Sequence, residues 1–444
     1  MAEPPATKVY HDGCPGCAME QRKEEHKGIP YREFLFVAIT TLASSLPISS
    51  LFPFLYFMVL DPFSSLEQIR DLHVARTEED IGFYAGFLGA SYMIGRGFAS
   101  ILWGMVADRI GRKPVIIFSI FAVIVLNTLF GLSVKYWMAV TTRFLLGALN
   151  GLLAPIKAYS IEVCRAEHQP LGLSIVSTAW GIGLVVGPAT GGYLAQPVKQ
   201  YPHIFHEKSI FGRFPYLLPC LCISLFALLV LLSCIWLPET LHKHKGLEVG
   251  VETAEASTTQ ESAESHQKSL FRNWPLMSSI VTYCVFSLHD TAYSEIFSLW
   301  TVSDRKYGGL SFSSKDVGQV LAVAGASLLV YQLFIYGWVD KILGPIHSTR
   351  ISAITIITGT SLLQNKAVPQ GQRGAANGIA TTAMSLFKAI APAGAGVIFS
   401  WAQKRQHVAF FPGDQMVFLL LNLTEVIGLM LTFKPFLAVP QQYK

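Results

Sequence analysis

Three ionisable side chains, His289, Asp290 and Glu295, lie within seven positions of one apolar run near residues 275 to 301, with Tyr283 and Tyr293 beside them. Imidazole and carboxyl groups held at membrane depth take up and release protons or meet cations, and they mark ion or substrate paths. The alternative is that Asp290 and Glu295 sit close to the aqueous end of the helix. An earlier run, near 137 to 161, spaces Arg143, Gly147 and Gly151 four residues apart, and Asn150 and Lys157 follow seven apart on nearly the same helical stripe. A guanidinium and an ammonium there would complement a carboxylate-rich cargo; for Arg143 the alternative is snorkelling to the interface. Lys388 and Glu425 lie inside later runs and could pair with each other or line the same path. Near the N-terminus, Cys14-Pro-Gly-Cys17 offers two soft ligands where zinc takes four. His242 and His244, or a partner, would have to complete such a site. The alternatives are an unstructured tail and a solvated loop.

These residues need apolar elements to hold them, and the composition supplies little else. Of 444 residues, 51% are hydrophobic and 14% charged, against about 25% charged in soluble domains. The apolar residues gather into runs long enough to cross about 30 Å of hydrocarbon as helix. Spans are expected near 34–60, 82–107, 114–134, 137–161, 171–195 and 216–237, then near 275–301, 317–339, 375–400 and 415–433. The fold class is therefore an all-α polytopic membrane protein. A net charge of +5 is spread thinly along the chain, which excludes nucleic acid as a partner. Seven cysteines, mostly in or beside apolar runs, give no disulfide framework. With no nucleophile and base pair, no phosphate-binding loop and no convincing metal triad, the chain does not read as an enzyme and no cofactor is expected.

The organisation reads as an N-terminal tail (1–33), a six-span half (34–237), a polar linker (238–273), a second half (274–434) and a short C-terminal tail (435–444). Arg109, Arg112, Lys113, Arg165, Lys243, Lys245, Lys268 and Arg272 all fall on one side. The positive-inside rule makes that side, with the N-terminus and the linker, cytoplasmic.

Two further motifs lie in the first half. The turn between spans two and three reads Gly104-x3-Asp108-Arg109-x-Gly111-Arg112-Lys113. Gly104 is expected to allow close helix approach, Asp108 to accept hydrogen bonds from a neighbouring helix start, and the basic residues to anchor at headgroups. Span five carries Gly183, Gly187, Pro188, Gly191 and Gly192. This gives a kinked helix with a smooth side against which another backbone can pack.

In this order and on these spans, the loop motif, the Arg143 motif and the Gly187-Pro188-x2-Gly191-Gly192 motif resemble the signatures of the major facilitator superfamily. The resemblance covers the membrane domain. It implies two six-helix halves, alternating access and proton-coupled exchange, with Arg143 linked to the proton. The CPGC tail, Trp103 before the loop motif, and the histidines of the linker resemble the plant zinc-induced-facilitator-like branch. That resemblance implies protons and a small-molecule or chelated-metal cargo in zinc and iron homeostasis, of nicotianamine or mugineic-acid type, at a vacuolar or plasma membrane.

The second half departs from the pattern. Asp108 to Pro188 spans 80 positions, whereas the echoing pair Asp340 to Pro392 spans 52, a shortfall of 28, or about one span. Only Ile351 to Leu363 lies where two spans belong. Charge bias favours a piece that does not cross, which leaves the last two helices in their usual orientation. Two other functional readings therefore stand beside antiport of a chelator. One is a general drug or organic-ion exporter. The other is a transport-inactive splice isoform that associates with and regulates a full-length form.

Overall fold

The computed structural model describes residues 10–11, 13–25, 28–60, 80–241, 271–335, 373–405 and 413–437, together with Ile342, Gln364 and Ala367. Every regular element among them is helical. The first half contains α1 (Pro15–Glu25), α2 (Tyr31–Ser49), α3 (Leu55–Leu60), α4 (Ile81–Ile110), α5 (Arg112–Gly131), α6 (Tyr136–Leu149), α7 (Leu153–Glu162), α8 (Gln169–Leu194) and α9 (Leu217–Ser233). The second half contains α10 (Trp274–Val302), α11 (Ser314–Val330), α12 (Arg373–Gln403) and α13 (Gly413–Leu431).

Five stretches among the described residues are long and apolar enough to cross a membrane by themselves: Arg112–Gly131, Tyr136–Glu162, Ser174–Leu194, Leu217–Trp236 and Ile379–Gln403. Two of the longest helices, α4 and α10, are not among them. Arg96, Asp108 and Arg109 dilute the first, and His289, Asp290 and Glu295 the second. Helix starts follow local chemistry. Asn273 accepts from the Leu276 amide at the head of α10, and Ser313 with Asp316 forms a capping box at the head of α11.

Lys404, just past α12, pairs with Asp80, just before α4, at 2.6 Å, which places those two termini at one end of the bundle. At the opposite end lie Arg112, Glu162 and Glu239, and Trp274 at the head of α10 donates to the Phe436 carbonyl beyond α13. Asn273 also donates to Ala367 there. Thus α12 starts at the Arg112 end and finishes at the Asp80 end. The stretch Ile351 to Leu363 lies outside the described residues.

The apolar core is shared unevenly. At the Asp80 end one cluster draws on both halves, joining Leu51, Phe54, Ile81, Ala85 and Leu88 to Ala292, Ile296, Leu299, Ala391, Ala395 and Phe399. Toward the Arg112 end the halves hold separate clusters, one around Phe34, Ile116, Leu146 and Tyr159, the other around Leu276, Ile280, Ala376 and Ala380.

Two boundaries differ from the sequence reading. The tail is not featureless: α1 docks on the first half, with Met19 in its core, Gly16 donating to the Leu241 carbonyl, and Arg22 3.1 Å from Glu33. The first four residues of the expected linker, Pro238 to Leu241, also belong to that half, because Glu239 is bonded into it.

Candidate functional site: two separate charge clusters between the halves

Span four is not one helix. It breaks at Asn150–Leu152 between α6 and α7, where Gly151 meets Trp103: a Cβ on Gly151 would lie 2.1 Å from the indole. Trp103 Nε1 donates to the Ala148 carbonyl at 2.7 Å, which holds the break in place. The expected stripe is therefore divided, and Arg143 and Asn150 part from Lys157.

Arg143 is 2% exposed. Its Nη1 donates at 2.7 Å to the Pro47 carbonyl, one of the last-turn carbonyls of α2 that lack helical partners. Its guanidinium lies over Tyr92 and Phe130, 5.4 and 5.2 Å from the ring centroids. Asn150 donates to Ser44 at 2.9 Å and to Tyr92 at 3.3 Å. Across the seam, Glu295 of α10 is 0% exposed, and neither carboxyl oxygen has a hydrogen-bond partner among the described residues. A Cβ on Gly89 would lie 3.2 Å from Glu295 Oε2 and 3.2 Å from Pro392 Cβ, so the carboxyl fills a slot between α4, α10 and α12. Arg143 and Glu295 sense each other electrostatically without a bond between them.

The second cluster centres on Arg96 of α4, which the sequence reading did not single out. Its guanidinium lies 5.6 Å from the Trp180 ring centroid of α8 and within electrostatic range of Lys157 on α7, Lys388 on α12 and Tyr283 on α10. Asp290 faces Lys388 and Tyr283, and Tyr283 Oη lies 3.0 Å from Met384 Sδ. Lys157 and Asp290 carry exposed surface. His289 stacks on Tyr293 at 6.3 Å. The three ionisable residues of α10 thus do not form one group, because Glu295 is turned into the seam and Asp290 lies within range of Lys388. A lone arginine in the middle of an apolar run was the available signal for Arg96.

The glycine motif of α8 serves two neighbours. Gly183, Gly187 and Gly191 press on Ser45, Ser49 and Ser50 at the end of α2, and Ser49 donates to the Gly183 carbonyl at 2.8 Å. On its other side Gly192 meets Gly318 of α11, backbone against backbone, across the halves. At the Arg112 end, Gly111 (φ +111°) makes the tight turn from α4 to α5. A Cβ there would lie 2.4 Å from Glu239. Glu239 accepts from the Arg112 and Lys113 amides at 3.0 Å each, the unpaired donors at the start of α5. Arg112 in turn reaches Glu162 at 3.0 Å, and Thr240 donates to the same carboxylate. The helix-start acceptor is thus Glu239, 127 residues distant in sequence. The Asp108 side chain lies outside the described residues, and Arg109 is exposed. Among the described residues nothing lies within 4 Å of the Gly104 Cβ position, and the close approach there is made by Gly151 against Trp103.

Cys14 and Cys17 are buried at the head of α1, 2% and 7% exposed. The His11 backbone bond lowers the Cys17 thiol, but burial, the neighbouring Cys14 and the Glu20 charge together leave it raised above its ordinary range. His242 and His244 lie outside the described residues. No group of three or more metal-ligating side chains occurs among the described residues.

A profile described as Major Facilitator Superfamily matches residues 37–364. Zinc induced facilitator-like 1 of Arabidopsis thaliana is 54% identical, over 98% of this chain and 98% of its own length, and zinc induced facilitator 1 of the same plant is 50% identical over 98% and 97%. Among solved structures, a D-xylose-proton symporter superposes with a TM-score of 0.65 at 13% identity, covering 93% of this chain and 98% of the symporter. A human organic anion transporter does so with 0.58 at 18% identity, covering 91% and 100%. With that profile matching most of its length and those plant relatives at least half identical from end to end, the chain belongs to the major facilitator superfamily of membrane transporters, beside the zinc-induced facilitator-like proteins.

Proposed function

We propose that the chain exchanges protons for an organic anion carrying at least two carboxylates, with metal chelators of the nicotianamine or mugineic-acid type as the leading cargo. The observation that carries this reading is the central cluster, where Arg96 lies within electrostatic range of two further cations, Lys157 and Lys388, and Lys388 in turn lies within range of one carboxylate, Asp290. Such a set complements a ligand with several carboxylates, while Asp290 can accept from an amine of the same ligand. The names of the two plant relatives support a place in zinc homeostasis. The basic-loop side is read as cytoplasmic by the positive-inside rule, and the membrane as vacuolar or plasma. The resting arrangement, joined at the Asp80 end, would then present the cluster to the cytoplasm.

The test is cargo-dependent proton movement into sealed vesicles holding the full chain under an imposed pH gradient. Lys157→Ala is expected to lower chelator-driven proton flux at least tenfold; unchanged flux removes Lys157 from the site. Equal flux with unrelated cationic drugs would favour a general organic-ion exporter instead.

A second reading has its own support. The comparison with zinc induced facilitator-like 1 runs over 477 positions, more than the 444 residues of this chain, in line with the internal shortfall of 28 before Pro392. On that reading the chain is a transport-inactive form that associates with a full-length partner. A chain with no flux of its own that changes the partner's flux on co-expression would establish it.

A further inference from the structure

Glu295 sits where an ionised carboxylate is hardest to keep. It is wholly buried, neither oxygen has a hydrogen-bond partner among the described residues, and it lies between Gly89 and Pro392 at an apolar cluster that includes Leu88, Ala292, Ile296, Ala391 and Ala395. Around it the halves are in backbone contact: a Cβ on Gly86 would lie 2.4 Å from the Pro392 carbonyl, and one on Gly396 2.2 Å from the Gly82 carbonyl. The titratable and charged groups on the surrounding elements are accounted for. From α6, Arg143 donates through Nη1 to Pro47 and lies over two rings; its buried Nε has no partner among the described residues, and its charge reaches Glu295 with no bond between the two, while Tyr136 donates to the Tyr84 carbonyl. From α4, Tyr92 is engaged with Asn150. From α12, Lys388 lies one turn away and faces Asp290. Burying an unpaired carboxylate in such a slot is strongly unfavourable, whereas the protonated group is tolerated.

We propose that Glu295 is a proton-dependent latch of the Asp80-end seam: the halves close there over a protonated Glu295, and loss of that proton opens them. When the seam parts, the O–H bond of the Glu295 carboxyl breaks, the electron pair stays on the carboxylate, and the proton passes to water on the Asp80 side. The closed state holds more protons than the open state, so closure is favoured at low pH and fades as pH rises. This deepens the antiport reading and rests on it for the direction of proton flow alone.

The experiment reads closure rather than transport. Asp80→Cys and Lys404→Cys are placed together in the full chain, replacing a pair 2.6 Å apart across the seam. Their cross-linking by a short bifunctional thiol reagent is followed from about pH 5 to about pH 9, with each single cysteine as control and the rate corrected for thiol ionisation. In the Glu295 background the corrected rate is expected to fall about tenfold or more as pH rises, given one or more pH units of linkage. Adding Glu295→Gln should hold it high and flat, while Glu295→Asp should keep the pH dependence. A flat profile with Glu295 intact, or the same slope in Glu295→Gln, overturns the proposal. Should Glu295→Gln fail to insert, the unsubstituted profile and Glu295→Asp still decide. Because cargo flux is not measured, a failure here leaves the antiport reading standing, and a failed flux assay leaves the latch standing.

Discussion

At the Asp80 end the two halves meet through Gly82, Gly86 and Gly192 on one side and Gly318, Pro392 and Gly396 on the other, inside one shared apolar cluster. At the Arg112 end the hydrogen bonds among the described residues run within each half, from Glu239 to the start of α5 and from Arg112 to Glu162 in the first, and from Trp274 to Phe436 in the second. The difference lies in what each contact allows. Apolar packing between smooth backbones has little directionality, so such a seam can part and reform with the halves intact. A carboxylate bonded to two helix-start amides has strict geometry, and breaking it leaves unpaired groups. The ionic end therefore stiffens one half as a body, and the apolar end is where bodies of this kind separate.

The largest expected effect comes from filling the seam. Gly86→Leu forces side-chain atoms into the Pro392 carbonyl, and overpacking of this kind costs about 1–3 kcal/mol. It shifts the balance away from closure by about tenfold to a hundredfold. Cross-linking between Asp80→Cys and Lys404→Cys should fall accordingly, with thermal stability of the first half little changed. Undiminished cross-linking would mean that the seam is not what joins the halves.

Next in size is the opposite end. Glu239→Ala leaves the Arg112 and Lys113 amides without their acceptor, a loss of about 1–3 kcal/mol. It should lower the melting temperature of the purified protein by several degrees, at about 2–4 °C per kcal/mol for a unit of this size. It should leave the cross-linking rate at the Asp80 end within about twofold. If that rate also falls strongly, the two ends are coupled and the division drawn above fails.

What could be read from sequence follows from how local each feature is. The smooth faces of α8 were legible because Gly183, Gly187 and Gly191 carry them in one run. The broken stripe of span four had a quieter signal, Gly151 next to Asn150 and Pro155 soon after. Periodicity alone carried Lys157 onto the same face as Arg143. Glu239 and Glu295 were harder for a different reason. The partners of the first lie 127 residues away, and the burial of the second depends on α4 and α12 closing over it. Only packing brings those groups together, and no spacing along the chain encodes it.

The smallest effect is expected at Gly104, and it sharpens the comparison most. The glycine opens the loop motif, yet among the described residues nothing lies within 4 Å of its Cβ position and it lies inside α4. Gly104→Ala should therefore stabilise the protein by about 0.5–1 kcal/mol, since glycine within a helix carries that penalty relative to alanine. Thermal melting should show a rise of a degree or a few. If the substitution instead leaves melting alone and abolishes flux, the glycine is needed only in the other conformation. There the Arg112 end would have to close by the same smooth-backbone contact that now seals the Asp80 end, with Gly104 in the place Gly86 holds here.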